Sequence, residues 1–582
     1  MQRLTATSLL LVLGLALGLS AASRADISGS VVDDVDGAPL AGALVSVRAR
    51  PDIAPVFSAG DGSFVLPMAE KDIFEVAAAI AYDPDATVNY LTQAQQAFDG
   101  MSGIELRLPR LPSAQNASYQ PPAAGDFCVA CHSDYYNRWS SSRHAGAGIN
   151  PWVLDLYSGD GTPSGSAGYV FLDTHDADDS GFCATCHTPL EDVFTPGQLK
   201  LNEAVTPAGL DGVTCLACHQ MSHVNEDVTA LHHLGNTQYR FPDGFAQTSF
   251  HVFGPLPDLD NLPMQNVYQP QFEESRFCAS CHEYENPTTG APGQTTYSEW
   301  AASPYAQPGP DHKTCQNCHM PALDAPGRIG TGGPERPGSQ RHDHRFIGAT
   351  PTTLSENISL RMDVERSGGL ITVQAEVENQ CGHNFPTGIS LRNALLVIDA
   401  RINGVPLTQT QGPTIPFWGS DEVPGEQPGD YAGKPGKGYA KVLEGRINGQ
   451  GPVVRPVLFI DAEGVHSDTG IPSGGIDLTR YGFAVPAGTP ENAQVSIEAR
   501  LLYRRAWRAV AVTKGWTQTP GGMPVEIEVQ RSQQAGTLAS FGPGGGVPAV
   551  PIAVPVGPLT PWLLGGLLGM FGLIGWRVSR RG

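Results

Sequence analysis

The chain is poor in positive charge. Its 582 residues hold 36 Lys and Arg against 58 Asp and Glu, a formal net charge of −22, and a surface of that sign repels phosphate backbones, which argues against nucleic acid as a partner. Unpaired cysteine is also scarce. Ten of the eleven cysteines fall into pairs three residues apart, and Cys381 alone is left over. No cysteine follows the apolar N-terminal segment, which argues against lipoprotein attachment there. Uninterrupted helix-forming sequence is short as well, because 68 Gly and 49 Pro impose turns and loops. At this length three or four folded units are expected.

What the chain does have is one pattern, Cys-x-x-Cys-His, five times over. The copies are Cys128/Cys131/His132, Cys183/Cys186/His187, Cys215/Cys218/His219, Cys278/Cys281/His282 and Cys315/Cys318/His319. This spacing reads as c-type haem attachment: two thiols form thioethers to one haem edge, and the next histidine reaches the iron as proximal ligand. Zinc sites and disulfides are the competing readings of paired cysteines. Neither explains a histidine at the same position after every pair, and an odd number of pairs suits a four-ligand zinc ribbon poorly. The expected cofactor is therefore five covalent haem c groups, each adding two carboxylates to a chain already acidic. A basic redox protein or a small molecule fits such a surface as partner.

Taken in order, residues 1–25 read as a secretory signal peptide, with Arg3, the apolar run Leu9 to Leu19 and a small-residue cleavage site at Ser23-Arg24-Ala25. Residues 26–113 alternate in short strands, as at Val45, Val47, Ala49 and at Ile104, Leu106, Leu108, with Asp36-Gly37 and Asp61-Gly62 as turns, and predict a β-sandwich. Residues 114–350 hold all five motifs. With fewer than fifty residues per haem, a loop-rich, α-helical multihaem cytochrome c module is expected, with haem supplying much of its buried apolar surface. Alternation returns over 351–530, at Ile371, Val373, Ala375, Val377, at Val495, Ile497, Ala499, Leu501 and at Val525, Ile527, Val529, predicting a second β-sandwich. Residues 531–557 read as a Gly/Pro-rich linker. Leu559 to Trp576 is apolar except for Thr560 and Pro561, so a single C-terminal transmembrane helix is expected over 558–576, with a basic tail over 577–582. Trp562 and Trp576 bracket it and Arg577, Arg580 and Arg581 follow, which places the tail in the cytoplasm and the bulk on the periplasmic face of the inner membrane. The same arrangement resembles a bacterial C-terminal sorting signal, in which case the helix would be cleaved and the protein passed to the cell surface.

Three resemblances add to this. Gly37-Ala-Pro-Leu-Ala-Gly-Ala-Leu-Val-Ser-Val with Gly60-Asp-Gly-Ser-Phe resembles carboxypeptidase regulatory-like β-sandwich domains, implying a binding or spacer module. Tyr136-x-x-Trp139-x-x-Ser142-x-His144-Ala145 after the first motif repeats as Tyr297-x-x-Trp300-x-x-Ser303-x-Tyr305-Ala306 after the fourth. Together with Thr314-Cys-Gln-Asn-Cys-His-Met-Pro321 and Asp343-His344-Arg-Phe346, it is similar to multihaem cytochromes of the cytochrome c-552/4 class. Cys381-Gly-His383-Asn-Phe-Pro-Thr-Gly388 is similar to a Gly-His-x-x-Pro-Thr-Gly signature that accompanies some multihaem cytochromes. The bland account of that segment is a Pro-Gly turn with a buried cysteine; a haem-facing His383 is the sharper one.

The cytochrome resemblance implies a haem chain for electron transfer, with some relatives acting on small nitrogen or sulfur compounds. Eleven histidines remain after the five proximal ones, ample for bis-histidine ligation of every iron. His144 leads the distal candidates because the family motif places a ligand there. His344 follows, then His223, His251 and His312 by position near the motifs. His232 and His233 are adjacent, so one at most faces a given iron. Met320 reads as packing, and Trp139 and Trp300 as haem-packing aromatics. An exported electron carrier is the favoured function. A multihaem oxidoreductase with one open iron is the alternative, weakened because no Cys-x-x-Cys-Lys variant occurs. A haem-bearing adhesion or matrix protein is the third reading.

Overall fold

The structure, a computed structural model, describes residues 26–69, 71–112, 115–225, 237–243, 250–260, 264–422, 425–542 and 550–551. The chain divides into two units. One comprises residues up to 113 together with 245–268; the other comprises 114–244 and 269 onward.

The first unit is built from the period-2 pattern. In Ser63–Leu66 and Ile104–Leu108 every second side chain is buried, because successive residues of a strand face opposite ways. Ile27–Asp33 lies between these two strands, antiparallel to one and parallel to the other. A second sheet orders Val56–Phe57, Leu44–Val47, Ile73–Ala79 and Gln93–Phe98. Val31, Leu66 and Leu106 from one sheet and Val45, Val76 and Ala78 from the other form one core. The strands His251–Gly254 and Gln265–Tyr268 belong to this unit, where Asn266 Nδ2 donates to Thr92 Oγ1 at 3.2 Å and the Tyr82 amide to Tyr268 O at 2.9 Å.

In the second unit the five motifs sit on short helices joined by loops. The longest, Val129–Ser140, has 12 residues, and the Cys183–His187, Cys215–His219 and Cys315–His319 helices have five each. Proline sets this brevity: Pro151, Pro189, Pro207 and Pro304 each open a new helix at its first turn, where a missing N–H costs nothing. From Ile358 onward two sheets face one another. One orders Ile358–Ser367, Leu370–Asn379, Ile476–Ala484 and Thr408–Gln411; the other has Asn393–Ile402 and Gln494–Arg504 at its centre, flanked by Glu526–Thr537 and Gly436–Tyr439. Val373, Val377, Leu396, Ile398, Ile497, Leu501 and Val529 meet between them. The last long strand runs from Glu526 to Thr537, so the first residues of the expected 531–557 linker are strand.

This sandwich is bolted to the motif region. Lys514 Nζ donates to the carbonyls of Asp155 (2.8 Å), Tyr169 (2.7 Å) and Gly165, and Trp516 Nε1 to Asp155 Oδ2 at 2.6 Å. The indoles of Trp152 and Trp516 stack at 4.5 Å.

The expected fold class needs correction. The described chain is mostly sheet with few helices, since proline and glycine interrupt the motif region before helices can lengthen. Among the described residues no helix is long and apolar enough to cross a membrane. The single C-terminal transmembrane helix therefore has no support in the structure, and membrane attachment through it is withdrawn from the partners. Residues 558–576 themselves lie outside the described residues, as do the signal peptide over 1–25, the basic tail and residues 543–549 and 552–557 of the linker.

Candidate functional site

Each motif places its two cysteines three residues apart on a helical turn, so both thiols project on one side. The local sequence fixes these turns. Thr314 and Asn317 form a capping box at the fifth motif. At the first, the chain leaves helical geometry at His132, with φ −117° and ψ 41°. All eleven cysteines are free thiols. Thiols of different motifs are neighbours: Cys128 of Cys215, Cys186 of Cys281, and Cys278 of Cys315. In each pair the neighbouring thiol lowers Cys215, Cys281 or Cys315 and raises its partner. The first motif is thus beside the third, the second beside the fourth and the fourth beside the fifth.

The internal repeat in the sequence is also a repeat in space. Trp139 Nε1 donates to Val213 O and Trp300 Nε1 to Lys313 O, both at 2.9 Å, and each acceptor lies two residues before a motif cysteine. The Val213 amide in turn donates to His144 O and the Lys313 amide to Tyr305 O. Tyr136 tilts against Trp139, and Tyr297 against Trp300, with ring centres 5.8 and 5.7 Å apart. Each copy therefore hangs one motif on another.

Three of the motif histidines have Nδ1 bonded to a backbone carbonyl: His132 to Ile329 O at 2.9 Å, His187 to Ala147 O at 3.0 Å and His319 to Ile347 O at 2.5 Å. His282 Nδ1 instead meets Gln294 Nε2 at 3.1 Å. A carbonyl on Nδ1 fixes the tautomer and leaves Nε2 as the free donor atom. Two of these rings face a second histidine. His144 lies across from His282 with ring centres 6.3 Å apart, and His383 across from His319 at 6.2 Å. Burial holds His144 down at about 4. Burial, then His144, Arg392 and His319, hold His282 down at about 3. Burial also lowers His187 and His383. These rings are neutral, the form in which imidazole binds a metal. The buried His144 Nδ1 has no hydrogen-bond partner among the described residues.

The other sequence candidates are dispersed. His344 is half-buried, edge-on to Tyr135, its Nδ1 on His342 O at 2.8 Å, close enough to His219 to feel its charge; desolvation first, and that charge among lesser effects, hold it down at about 4. His223 is half-buried on the strand Met221–Val224. His251 is buried on its strand in the first unit. His312 is exposed, with its ring 6.4 Å from Trp300. Among the rest, His175 is taken by Asp461 at 2.9 Å, and His342 Nδ1 bonds Met320 O at 2.7 Å. His232 and His233 lie outside the described residues. Sequence reasoning missed Glu299. Its carboxylate accepts from Thr295 Oγ1 (2.9 Å), the Asn384 amide (3.2 Å) and Thr387 Oγ1 (2.5 Å), and so grips the loop that carries His383. A Thr-x-x-x-Glu spacing is too common to have signalled this.

No family model matches the chain, and no curated protein matches it either. Among solved structures it is similar to a penta-heme cytochrome c552 from Thermochromatium tepidum, at TM-score 0.49 and 20% identity over 72% of this chain and 100% of that one. It is also matched to MtrC from Shewanella baltica OS185, at TM-score 0.13 and 12% identity over 87% of this chain and 66% of that one. The functional reading rests on the motifs and their geometry.

Proposed function

We propose that the chain is an exported multihaem c-type cytochrome that carries electrons along five covalently bound haems. The observation that carries this reading is the pairing of a motif histidine with a distant one at a metal-bridging distance. Two metal–nitrogen bonds of about 2 Å in line, with the ring radii added, separate imidazole centres by about 6 Å. The His144–His282 and His319–His383 pairs have that separation. Among the described residues, no three His, Cys, Asp or Glu side chains converge as a metal-ion site. Donors that come in twos suit a group bringing four nitrogens of its own, and they suit zinc poorly.

In this reading Cys128, Cys131, Cys183, Cys186, Cys215, Cys218, Cys278, Cys281, Cys315 and Cys318 form the thioethers. His132, His187, His219, His282 and His319 are the proximal ligands, with His144 and His383 as distal partners of the fourth and fifth motifs and His344 facing the third. When bound, haem c supplies one-electron chemistry without a proton or atom changing hands. The chain's own residues do the rest. The carbonyls on Nδ1 hold the imidazoles at fixed angles, so little reorganises on reduction. The thiol contacts make neighbours of the first and third, second and fourth, and fourth and fifth motifs, the adjacency that a relay needs. Covalent haem attachment outside the cytoplasm supports export.

Intact mass and a pyridine haemochrome count on protein made with haem-attachment machinery test the stoichiometry; five haems are expected. Electron paramagnetic resonance of the oxidised protein should show low-spin iron throughout. A high-spin iron that binds nitrite would move the reading to an oxidoreductase.

A further inference from the structure

The turn that presents His383 is held by one buried side chain that the motifs do not mark. Asn379 ends the strand Leu370–Asn379 and is fully buried. Its Nδ2 donates to His383 O (2.8 Å), Ile471 O (2.8 Å) and Pro472 O (3.2 Å), and its Oδ1 accepts from the Cys381 amide at 2.9 Å. A primary amide suits this set because one end meets carbonyls and the other meets an N–H. Ser473 Oγ donates to Cys381 O at 2.6 Å. Past the histidine, Phe385 and Ile471 exchange both backbone bonds, at 2.8 and 2.9 Å. The backbone on either side of His383 is thus tied to residues 471–473. Asn379 is tied to the same turn by its own backbone, its amide on Gly475 O at 3.0 Å and its carbonyl on the Gly474 amide at 2.8 Å.

A ligand on a loop keeps a fixed orientation only where outer contacts hold the loop. Fixing the Cys381 amide and the His383 carbonyl fixes the backbone from which the imidazole departs, and a staggered rotamer then sets its direction. His383 Nδ1 meets Asn384 O at 3.0 Å, which leaves Nε2 as the free donor atom. The resulting ring plane lies 10° from that of His319, whereas His144 and His282 stand at 49°. We infer that Asn379, aided by Ser473, is the residue that positions His383 against His319 and holds the two imidazole planes near parallel. This rests on the haem reading above, in which both rings ligate the iron of the fifth motif. Two imidazoles with parallel planes donate π density along one direction and split the iron's d orbitals strongly. Crossed planes donate along both directions and split them little, so the angle is visible in the spectrum of the oxidised iron.

The test uses the full-length haem-loaded protein and electron paramagnetic resonance of its oxidised form, with haem content counted alongside. His383→Ala identifies the signal of the fifth motif's iron by its loss. Asn379→Asp keeps the size of the side chain and the acceptor for Cys381, but sets an oxygen against three carbonyls. The low-field feature of that one iron should move to lower field while the other signals stay in place. Ser473→Ala, at a half-buried turn residue, removes a single bond and should move the same feature less. An unmoved feature in Asn379→Asp overturns the inference. So does a change spread over all the signals, which is what general loosening of the sandwich gives. If Asn379→Asp does not accumulate with its haems, Ser473→Ala decides by the same two criteria. A silent His383→Ala spectrum overturns the ligand reading of the His319–His383 pair, and the positioning role with it; a responsive His383→Ala beside a silent Asn379→Asp overturns the positioning role alone.

Discussion

The imidazoles of His319 and His383 face one another with ring centres 6.2 Å apart and planes within 10° of parallel. One belongs to the last cysteine motif, the other to a loop of the C-terminal sandwich. The loop is set by contacts at both ends. Glu299 grips Asn384 and Thr387, and Tyr305 Oη donates to Gln380 O at 3.1 Å. Tyr305 occupies the repeat position that His144 holds in the other copy. Where the first copy presents a histidine, the second presents a tyrosine that braces the loop delivering one.

Replacing His383 with Ala should convert one low-spin iron to high spin, as should His144→Ala. Tyr305→Phe should leave the spectrum unchanged, because its hydroxyl is committed to a backbone carbonyl. His312→Ala should also be silent, since that side chain is exposed. Electron paramagnetic resonance of the oxidised variants reads all four. A silent His383→Ala spectrum would remove this residue from the ligand set.

Glu299→Ala removes the acceptor of three hydrogen bonds at once and takes from Lys441 the nearer of its two carboxylates, at 3.4 Å against 4.0 Å for Asp468. A cost of about 2–4 kcal/mol is expected from losing a buried charged acceptor. It should be visible as a lower thermal midpoint and as a broadened low-spin signal from the iron at His319. Glu299→Gln, which retains one acceptor oxygen, should cost less on both measures.

The cysteine motifs were legible in the sequence because their chemistry is written in fixed local spacing. So was the alternation of Val373, Val377, Ile497 and Leu501, all of them buried in the C-terminal core. The repeat around Trp139 and Trp300 could be read as a pattern, but not what each indole would bond. The partners of the motif histidines were legible only where a local motif marks them, as with His144. Facing pairs come from tertiary contacts: His319 meets His383, on a loop of the C-terminal sandwich that the Gly-His-x-x-Pro-Thr-Gly signature singles out, whereas proximity in sequence favoured the exposed His312. The helical expectation for the motif region failed because each proline at a helix start also ends the segment before it. The assignment of 245–268 to the first unit has no signature in composition or period.

Lys514 and Trp516 should prove the strongest single links between the C-terminal sandwich and the motif region. Lys514→Met keeps the apolar stem but leaves three carbonyl acceptors unfilled, at a cost of about 3 kcal/mol. Trp516→Phe keeps the stacking on Trp152 and loses the hydrogen bond to Asp155, for about 1 kcal/mol. Urea midpoints of the haem-loaded protein should fall in that order.

The last prediction concerns acid and the first unit. Asp33 is buried at the end of the strand Ile27–Asp33 and receives Arg110 Nε at 2.6 Å, the Val35 amide at 2.8 Å and Tyr90 Oη at 2.9 Å. Burial alone would raise its carboxyl, but these three bonds together outweigh it and hold Asp33 down at about 2. In the unfolded chain the same group titrates near its ordinary value of about 3.9. Because the folded state releases the proton more readily, the contribution of ionised Asp33 is fully present above pH of about 4. It is lost as pH falls through about 2. Asp33→Asn should therefore destabilise the first unit near neutrality, by an amount of order 1 kcal/mol given the half-exposed arginine on one side. The difference between variant and unmutated protein should shrink steadily between pH 5 and pH 2. Proteolysis across a urea series follows it, with thermolysin near neutrality and pepsin in acid, scoring cleavage within residues 26–112. A gap that stays constant with pH would mean that Asp33 acts through shape and not through its charge.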